Sequence, residues 1–222
     1  MLSFEEARHR ILDSLTPLPS EMISLSQGLG RILATPLNAR RQLPLFDNSA
    51  MDGYAVSSAD TAGANSLQPV SLPISEVIPA GRCPTRPLQR GEAMRIFTGA
   101  VMPEGADAVV IQENTTREND NVLILQPARP RQHVRFAGED VQVGAPILDA
   151  GFPLEPGEIA MLAAQGTLVL PACRQPRVAI LPTGDELREL GQPLEPGQIS
   201  NSNSHMLAAQ VRRCGGIPLQ QP

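Results

Sequence analysis

Asp47-Asn48-Ser49-Ala50-Met51-Asp52-Gly53-Tyr54-Ala55 sets two carboxylates, an amide and a hydroxyl close together and carries the only tyrosine of the chain. Asp52-Gly53 between apolar neighbours predicts a tight hairpin turn, after which Gly53–Val56 reads as a strand. Asp47-Asn48-Ser49 reads as a turn or cap. Two roles stand open for Asp52. It shapes the turn, or it points from a rigid corner towards a ligand as a metal ligand or proton acceptor. Two polar loops echo this stretch, Thr98-Gly99 and Thr183-Gly184-Asp185-Glu186. Three such loops point to an anionic ligand or a metal held between segments.

Working outward, residues 43–147 carry β signals. Val70–Ile78, Ala93–Phe97, Ala108–Gln112 and Val122–Gln126 read as short strands separated by turn clusters such as Pro79-Ala80-Gly81 and Glu118-Asn119-Asp120-Asn121. That spacing predicts a small barrel or sandwich. Upstream, Ser3-Phe4-Glu5-Glu6 is a capping box, and Ala7, Ile11, Leu12 and Leu15 give a helical apolar face that Pro17 and Pro19 end. A strand around Ile23 and Leu25, a short helix over Gly28–Leu33 and an extended Pro36–Ala39 are expected next. Downstream, Glu155-Pro156-Gly157-Glu158 opens a helix closed by Gly166, and Thr167–Leu170 reads as a strand. The texture then changes: Arg177–Pro182 reads as an apolar strand, His205–Arg213 as a helix and Ile217-Pro218-Leu219 as extended chain. That is most of a βαβ unit.

Composition removes several classes. The 222 residues are 41% hydrophobic, enough for a core. The apolar runs are too short to span a bilayer and the N-terminus is acidic where a signal peptide is basic, so a soluble cytoplasmic protein is expected. All 18 basic residues are arginine, which excludes P-loop and Schiff-base lysines within this segment and suits bidentate oxyanion binding. A net charge of −5 and only 3% aromatics argue against nucleic acid as a partner. Cys83, Cys173 and Cys214 show no zinc or redox spacing, nor do His9, His133 and His205. No nucleophile elbow is present.

Three further loops carry candidate chemistry. Thr98-Gly99-Ala100 either ends a strand or lets the backbone approach a ligand. Gly138-Glu139-Asp140 is a solvated bend or an acidic contact. Thr183-Gly184-Asp185-Glu186 lies at the predicted carboxyl end of a parallel strand, where open α/β sheets bind ligands, and its carboxylates suit Mg2+. Ser202-Asn203-Ser204 would sit at a helix N-terminus, as caps or as an anion cradle.

Residues 47–55, Ile96–Ala100 with Pro103–Val110, Gly138–Val141 and Thr183–Leu187, taken in order, resemble the MoeA/gephyrin E-domain family, the molybdopterin molybdenumtransferases. The resemblance covers almost the whole chain. It implies a multidomain α+β protein with an elongated linker/dimerisation domain (1–42 and 141–175). A β-rich domain (43–140) is inserted into it, and an incomplete α/β molybdopterin-binding-like domain (176–222) follows. The implied reaction is Mg2+-dependent insertion of molybdate into adenylylated molybdopterin with release of AMP, in molybdenum cofactor biosynthesis. By position, Asp52, Thr98, Asp140 and Glu186 match residues implicated in activity, with Glu186 the Mg2+ contact. Ser49, Thr183, Gly184, Asp185, Ser202 and Asn203 are expected at the substrate. The implied assembly is a homodimer with an inter-subunit active site, and other cofactor-biosynthesis proteins stand as further partners. Gln198–Asn203 departs from the pattern, with Ser and Asn where many relatives carry Tyr and Asp.

Family members continue well past the stretch matched here, so this polypeptide alone is expected to be inactive. Two other readings stand beside the enzyme. A non-catalytic scaffold or dimerisation module of the same family would bind a partner peptide and no pterin nucleotide. A general Mg2+–nucleotide binder would take ATP as well as a pterin.

Overall fold

The computed structural model describes residues 2–220; positions 1 and 221–222, the outermost ends of the expected terminal regions, lie outside it. In chain order the elements begin with α1 (Phe4–Asp13), β1 (Ser20–Ser24), β2 (Leu37–Asn38), β3 (Asn48–Ser49), β4 (Gly53–Val56) and β5 (Val70–Ile78). β6 (Ala93–Ile96), β7 (Ala108–Ile111), β8 (Thr115–Glu118), β9 (Asn121–Ile124) and β10 (Val134–Arg135) follow. The chain closes through β11 (Pro146–Leu148), α2 (Pro156–Ala164), β12 (Val169–Cys173), β13 (Arg177–Ile180), β14 (Leu187–Arg188), β15 (Ile199–Ser200), α3 (Ser202–Arg213) and β16 (Ile217–Gln220). Contacts divide the chain into two units, Met1–Asn38 with Pro146–Pro222, and Ala39–Ala145. The result is a strand-rich mixed α/β protein. Among the described residues no helix is long and apolar enough to cross a membrane.

In the first unit, the Ser3 hydroxyl accepts from the Glu6 N–H while the Glu6 carboxylate accepts from the Ser3 N–H at 2.8 Å, so α1 starts at its capping box. No residue of α1 is buried; Phe4, Ile11 and Leu12 of its apolar face are exposed. The core gathers Ile23, Leu33, Leu154, Leu162, Leu170 and Ala172. Antiparallel pairing of β1 with β12 sets Ile23 opposite Leu170. β13 and β16 pair in parallel with α3 between them in sequence, the expected βαβ connection.

The second unit holds a six-stranded sheet of order β7-β4-β6-β5-β9-β8. Along its central strands successive side chains enter different clusters. Tyr54, Val56, Ala93, Ala108 and Val110 pack on one side, and Ala55, Met94, Ile96 and Val109 pack in the other cluster. Burial on both faces explains why these strands read as continuous apolar runs rather than as an alternation. The sheet is mixed: β5 is parallel to β6 and antiparallel to β9.

Three local expectations are corrected. Gly28–Leu33 is not helical. A single 3-10 turn covers Leu25–Gln27, a further turn follows at Leu29-Gly30, and the chain then places Leu33 in a bridge to Ala172, fully buried. Asp52-Gly53 is not a hairpin, because β3 pairs with β10 whereas β4 pairs with β6 and β7. The glycine answers to crowding instead. A Cβ on Gly53 would stand 2.1 Å from the Val110 carbonyl oxygen, so only glycine lets β4 approach β7. Finally, α3 starts at Ser202, three residues before the expected His205, because Asn201 caps it. β8 escapes a hydrophobic reading because Thr115-Thr116-Arg117-Glu118 is a polar edge strand.

Gly53→Ala is therefore expected to destabilise the fold by about 2–3 kcal/mol. Denaturant unfolding checks this; an unchanged midpoint would show that β4 and β7 can part without cost.

Candidate functional site

The entrance to β4 carries the first group of site residues. Thr98 follows β6 and donates both its backbone N–H, at 2.8 Å, and its hydroxyl, at 2.9 Å, to Oδ1 of Asp52. Two residues far apart in sequence are thus joined by three polar atoms. The same corner is held from β7's end, where the Gln112 N–H donates to the Asp52 carbonyl at 3.1 Å. The Thr98 amide, and then its hydroxyl, hold the partly buried Asp52 carboxyl below the usual carboxylate range; desolvation opposes them and nearby Arg95 adds a smaller pull in their direction. The site therefore presents an ionised carboxylate with one oxygen committed.

Ser49 is laced to the Thr98 loop by backbone: its N–H donates to Ala100 at 3.0 Å and its carbonyl accepts from Gly99 at 2.8 Å. Its side chain is 1% exposed and its hydroxyl donates to the Met51 carbonyl at 2.6 Å. Ser49 thus shapes the turn that delivers Asp52. Asp140 belongs to a neighbouring loop. β10 pairs with β3, the Asp47 carboxylate accepts from the Ala137 N–H at 2.8 Å, and the Asp140 N–H donates to the Leu43 carbonyl at 2.9 Å. Arg135 donates from Nε to Glu139 and from Nη2 to Asp140, both at 2.6 Å. Glu139 is held below its ordinary range, first by the Phe136 N–H and then by Arg135. These pairs are solvent-exposed, so they orient the loop more than they stabilise the fold. The segments around residues 47–53, 97–101 and 135–141 are in this way tied together within one unit.

The second group lies in the other unit. A pocket of about 240 Å³ is lined by Thr183 and by Ser200, Asn201, Ser202, Asn203 and Ser204, with Ile180 and Leu207 on its apolar side. Asn201 builds it. The side chain is 3% exposed, its Oδ1 accepts from the Ser204 N–H at 3.2 Å, and its Nδ2 donates to Glu189 at 3.1 Å. The first turn of α3, whose Ser204 N–H is capped by Asn201, therefore forms part of the lining. Of the expected residues, Thr183, Ser202 and Asn203 line this pocket. Gly184, Asp185 and Glu186 are exposed beside it in sequence and do not line it. Gly184 has φ +152°, and a Cβ there would stand 2.5 Å from a Glu186 carboxylate oxygen. The backbone conformation favours glycine here, while the exposed Glu186 side chain is free to swing clear of a Cβ.

Among the described residues no group of three or more His, Cys, Asp or Glu side chains is placed to hold a metal ion. Mg2+ asks for less than that: it takes one or two carboxylates and fills its octahedron with water and phosphate oxygens. The adjacent exposed carboxylates of Asp185 and Glu186 fit this demand.

Sequence reasoning missed Arg95, Arg135 and Asn201. Arg95 was signalled by a charge inside the apolar run Ala93–Phe97 next to Thr98, and Arg135 by its spacing of four from Glu139. The model of the MoeA N-terminal region (domain I and II) matches residues 2–166, most of the chain. The chain belongs to the MoeA family. A MoeA-family relative from Nostoc sp., named molybdopterin molybdenumtransferase, is 50% identical over 200 residues, 90% of this chain and 46% of that protein. One from Mycobacterium tuberculosis, molybdopterin molybdenumtransferase 2, is 44% identical over 97% of this chain and 53% of its own length. The chain spans about half the length of the curated relatives it matches. A crystal structure of the MoeA protein from Pyrococcus horikoshii OT3, at 35% identity, superposes on 100% of this chain and 59% of that one with a TM-score of 0.91.

Because the Thr98 amide is the larger cause of the lowered Asp52 pKa, Thr98→Val should raise the carboxyl's titration only part of the way towards the usual range. Carboxyl-carbon NMR against pH measures it; a full return to that range would show that the hydroxyl alone holds the charge. A folded-state pKa below the unfolded one stabilises above the unfolded value and is lost as pH falls through the folded value. The stability difference between wild type and Asp52→Asn should accordingly be largest at neutral pH and fade in strong acid.

Proposed function

We propose that this chain works in molybdenum cofactor biosynthesis as part of a molybdopterin molybdenumtransferase, in Mg2+-dependent insertion of molybdate into adenylylated molybdopterin with release of AMP. The observation that carries the reading is the Asp52–Thr98 pair, a preset ionised carboxylate supplied by two family motifs. The names of the Nostoc and Mycobacterium relatives supply the substrate class.

In this reading residues 1–42 with 141–175 form the linker and dimerisation region, 43–140 the inserted β-rich domain, and 176–222 the beginning of the pterin-binding region. The uncovered apolar face of α1 supports a homodimer with the active site shared between subunits. A cytoplasmic location suits a pathway intermediate of this kind.

Molybdate and a phosphoanhydride are both anionic, so the protein must offset their repulsion in a partly dry cleft. Bound at Glu186 with Asp185, Mg2+ would neutralise phosphate charge and polarise the P–O bond. The N–H groups at the start of α3 and the hydroxyls of Thr183 and Ser202 hold the remaining oxygens, with Asn203 beside them. Within the other unit, Asp52 has Oδ1 committed to Thr98 and Oδ2 open, and Asp140 is held in place by Arg135. The dithiolene sulfurs that take up molybdenum belong to the pterin, so the protein needs no thiol.

Equilibrium titration of the chain with adenylylated molybdopterin, with ATP as control and with or without Mg2+, tests this. The pterin nucleotide should bind more tightly than ATP by at least about tenfold, with Mg2+ strengthening it and Glu186→Gln removing the Mg2+ gain. Equal affinity for ATP would make the chain a general nucleotide binder. No affinity for either would favour a scaffold.

A further inference from the structure

Arg95 stands on β6 directly opposite Tyr54 on β4. Its guanidinium carbon lies 5.1 Å from the Tyr54 ring centroid and 4.8 Å from that of Phe97, two positions on and just past the end of β6. Both distances are within cation–π range, and the two rings give the flat cation two contact surfaces. Its edges are used as well: Nη1 donates to the Gly53 carbonyl at 3.1 Å and Nη2 to Oε1 of Gln112 at 2.7 Å. Gln112 in turn donates its backbone N–H to the Asp52 carbonyl. Among the described residues Arg95 makes no direct ion pair; its contacts are rings and neutral acceptors, and the Asp52 carboxylate feels its charge only from a distance. That is an expensive way to place a charge unless the charge and its fork are needed where they stand.

We infer that Arg95 is the positioning residue of the Asp52–Thr98 pair. Clamped between Tyr54 and Phe97, it fixes the Gly53 peptide and Gln112, and through them the direction in which the Asp52 carboxylate leaves β4. Three groups of the Asp52–Gly53 corner are then pinned from different parts of the chain. The Asp52 carboxylate is held by Thr98, the Asp52 carbonyl by Gln112, and the Gly53 carbonyl by Arg95. The inference rests on the proposed role of Asp52 and Thr98, but its test needs no turnover.

Arg95→Met keeps the aliphatic stem and removes fork and charge; Arg95→Lys keeps the charge only. Both are made in the 222-residue chain and read by NMR. In Arg95→Met the Thr98 amide proton should exchange on the order of tenfold faster, and Asp52 should titrate closer to the usual carboxylate range, while amides of the opposite cluster around Met94 and Val109 stay put. Arg95→Lys should recover the Asp52 titration in part and leave the Thr98 amide unprotected. Unchanged Thr98 exchange in the Met variant overturns the inference, and so does full rescue of both readouts by lysine, which would reduce Arg95 to a point charge. If the Met variant fails to fold, Phe97→Leu decides. Removal of one ring with the guanidinium kept should produce the same two changes at smaller amplitude, and their absence overturns the inference. Because neither readout involves substrate, a failure here leaves the proposed reaction standing, and an inactive protein leaves this inference standing.

Discussion

The second unit depends on how closely β4 can lie against β7. At Gly53 the strands approach to a separation that no side chain allows, and the Val110 carbonyl occupies the place of a Cβ. From that contact the sheet order follows, with β4 paired on both edges and apolar on both faces. A strand so enclosed has little freedom, and the residue at its entrance, Asp52, inherits that rigidity. A carboxylate on such a support can be held by Thr98 at bonding distance without a large entropic cost, because the backbone on either side is already fixed.

Electrostatics is arranged on the same support. Carboxylates occur near the Asp52 corner and in the loop from Glu139 to Asp140, and arginines meet both. Arg135 takes two carboxylates with its fork, which planar geometry permits and an ammonium would not. Arg95 takes none directly and is stabilised by aromatic faces. The first arrangement ties a loop down; the second leaves a neighbouring carboxylate its charge while still lowering its pKa.

Much of this was legible in the sequence. β4 and β5 fall at their expected bounds, β6, β7 and β9 within two residues of them, because buried apolar runs bounded by turn residues leave few alternatives. The capping box at Ser3 and the parallel β13–β16 connection were legible for the same local reasons. What could not be read was pairing. Asp-Gly signals a hairpin when its flanking strands pair with each other; here they pair with β10, β6 and β7, and the glycine serves a tertiary contact that sequence spacing does not encode. Gly28–Leu33 failed likewise, since the demand to bury Leu33 outweighed a weak helical pattern. At the site, Asp52 and Thr98 were visible as separate polar loops, and their union came only from the fold. Arg95 and Asn201 were missed because each acts through its neighbours.

The ties that build the Asp52 corner join residues very distant along the chain: 46 positions separate Asp52 from Thr98, and 90 separate Asp47 from Ala137. Neither link yields any stability until the intervening segment has closed, and closing it costs entropy before the contact returns anything. The corner is therefore assembled late, after β4 has found both of its neighbours. A nascent chain that has not yet reached Val141 holds the aspartate and the threonine but not the complete set of ties around them, so the ordering of this corner reports on finished folding.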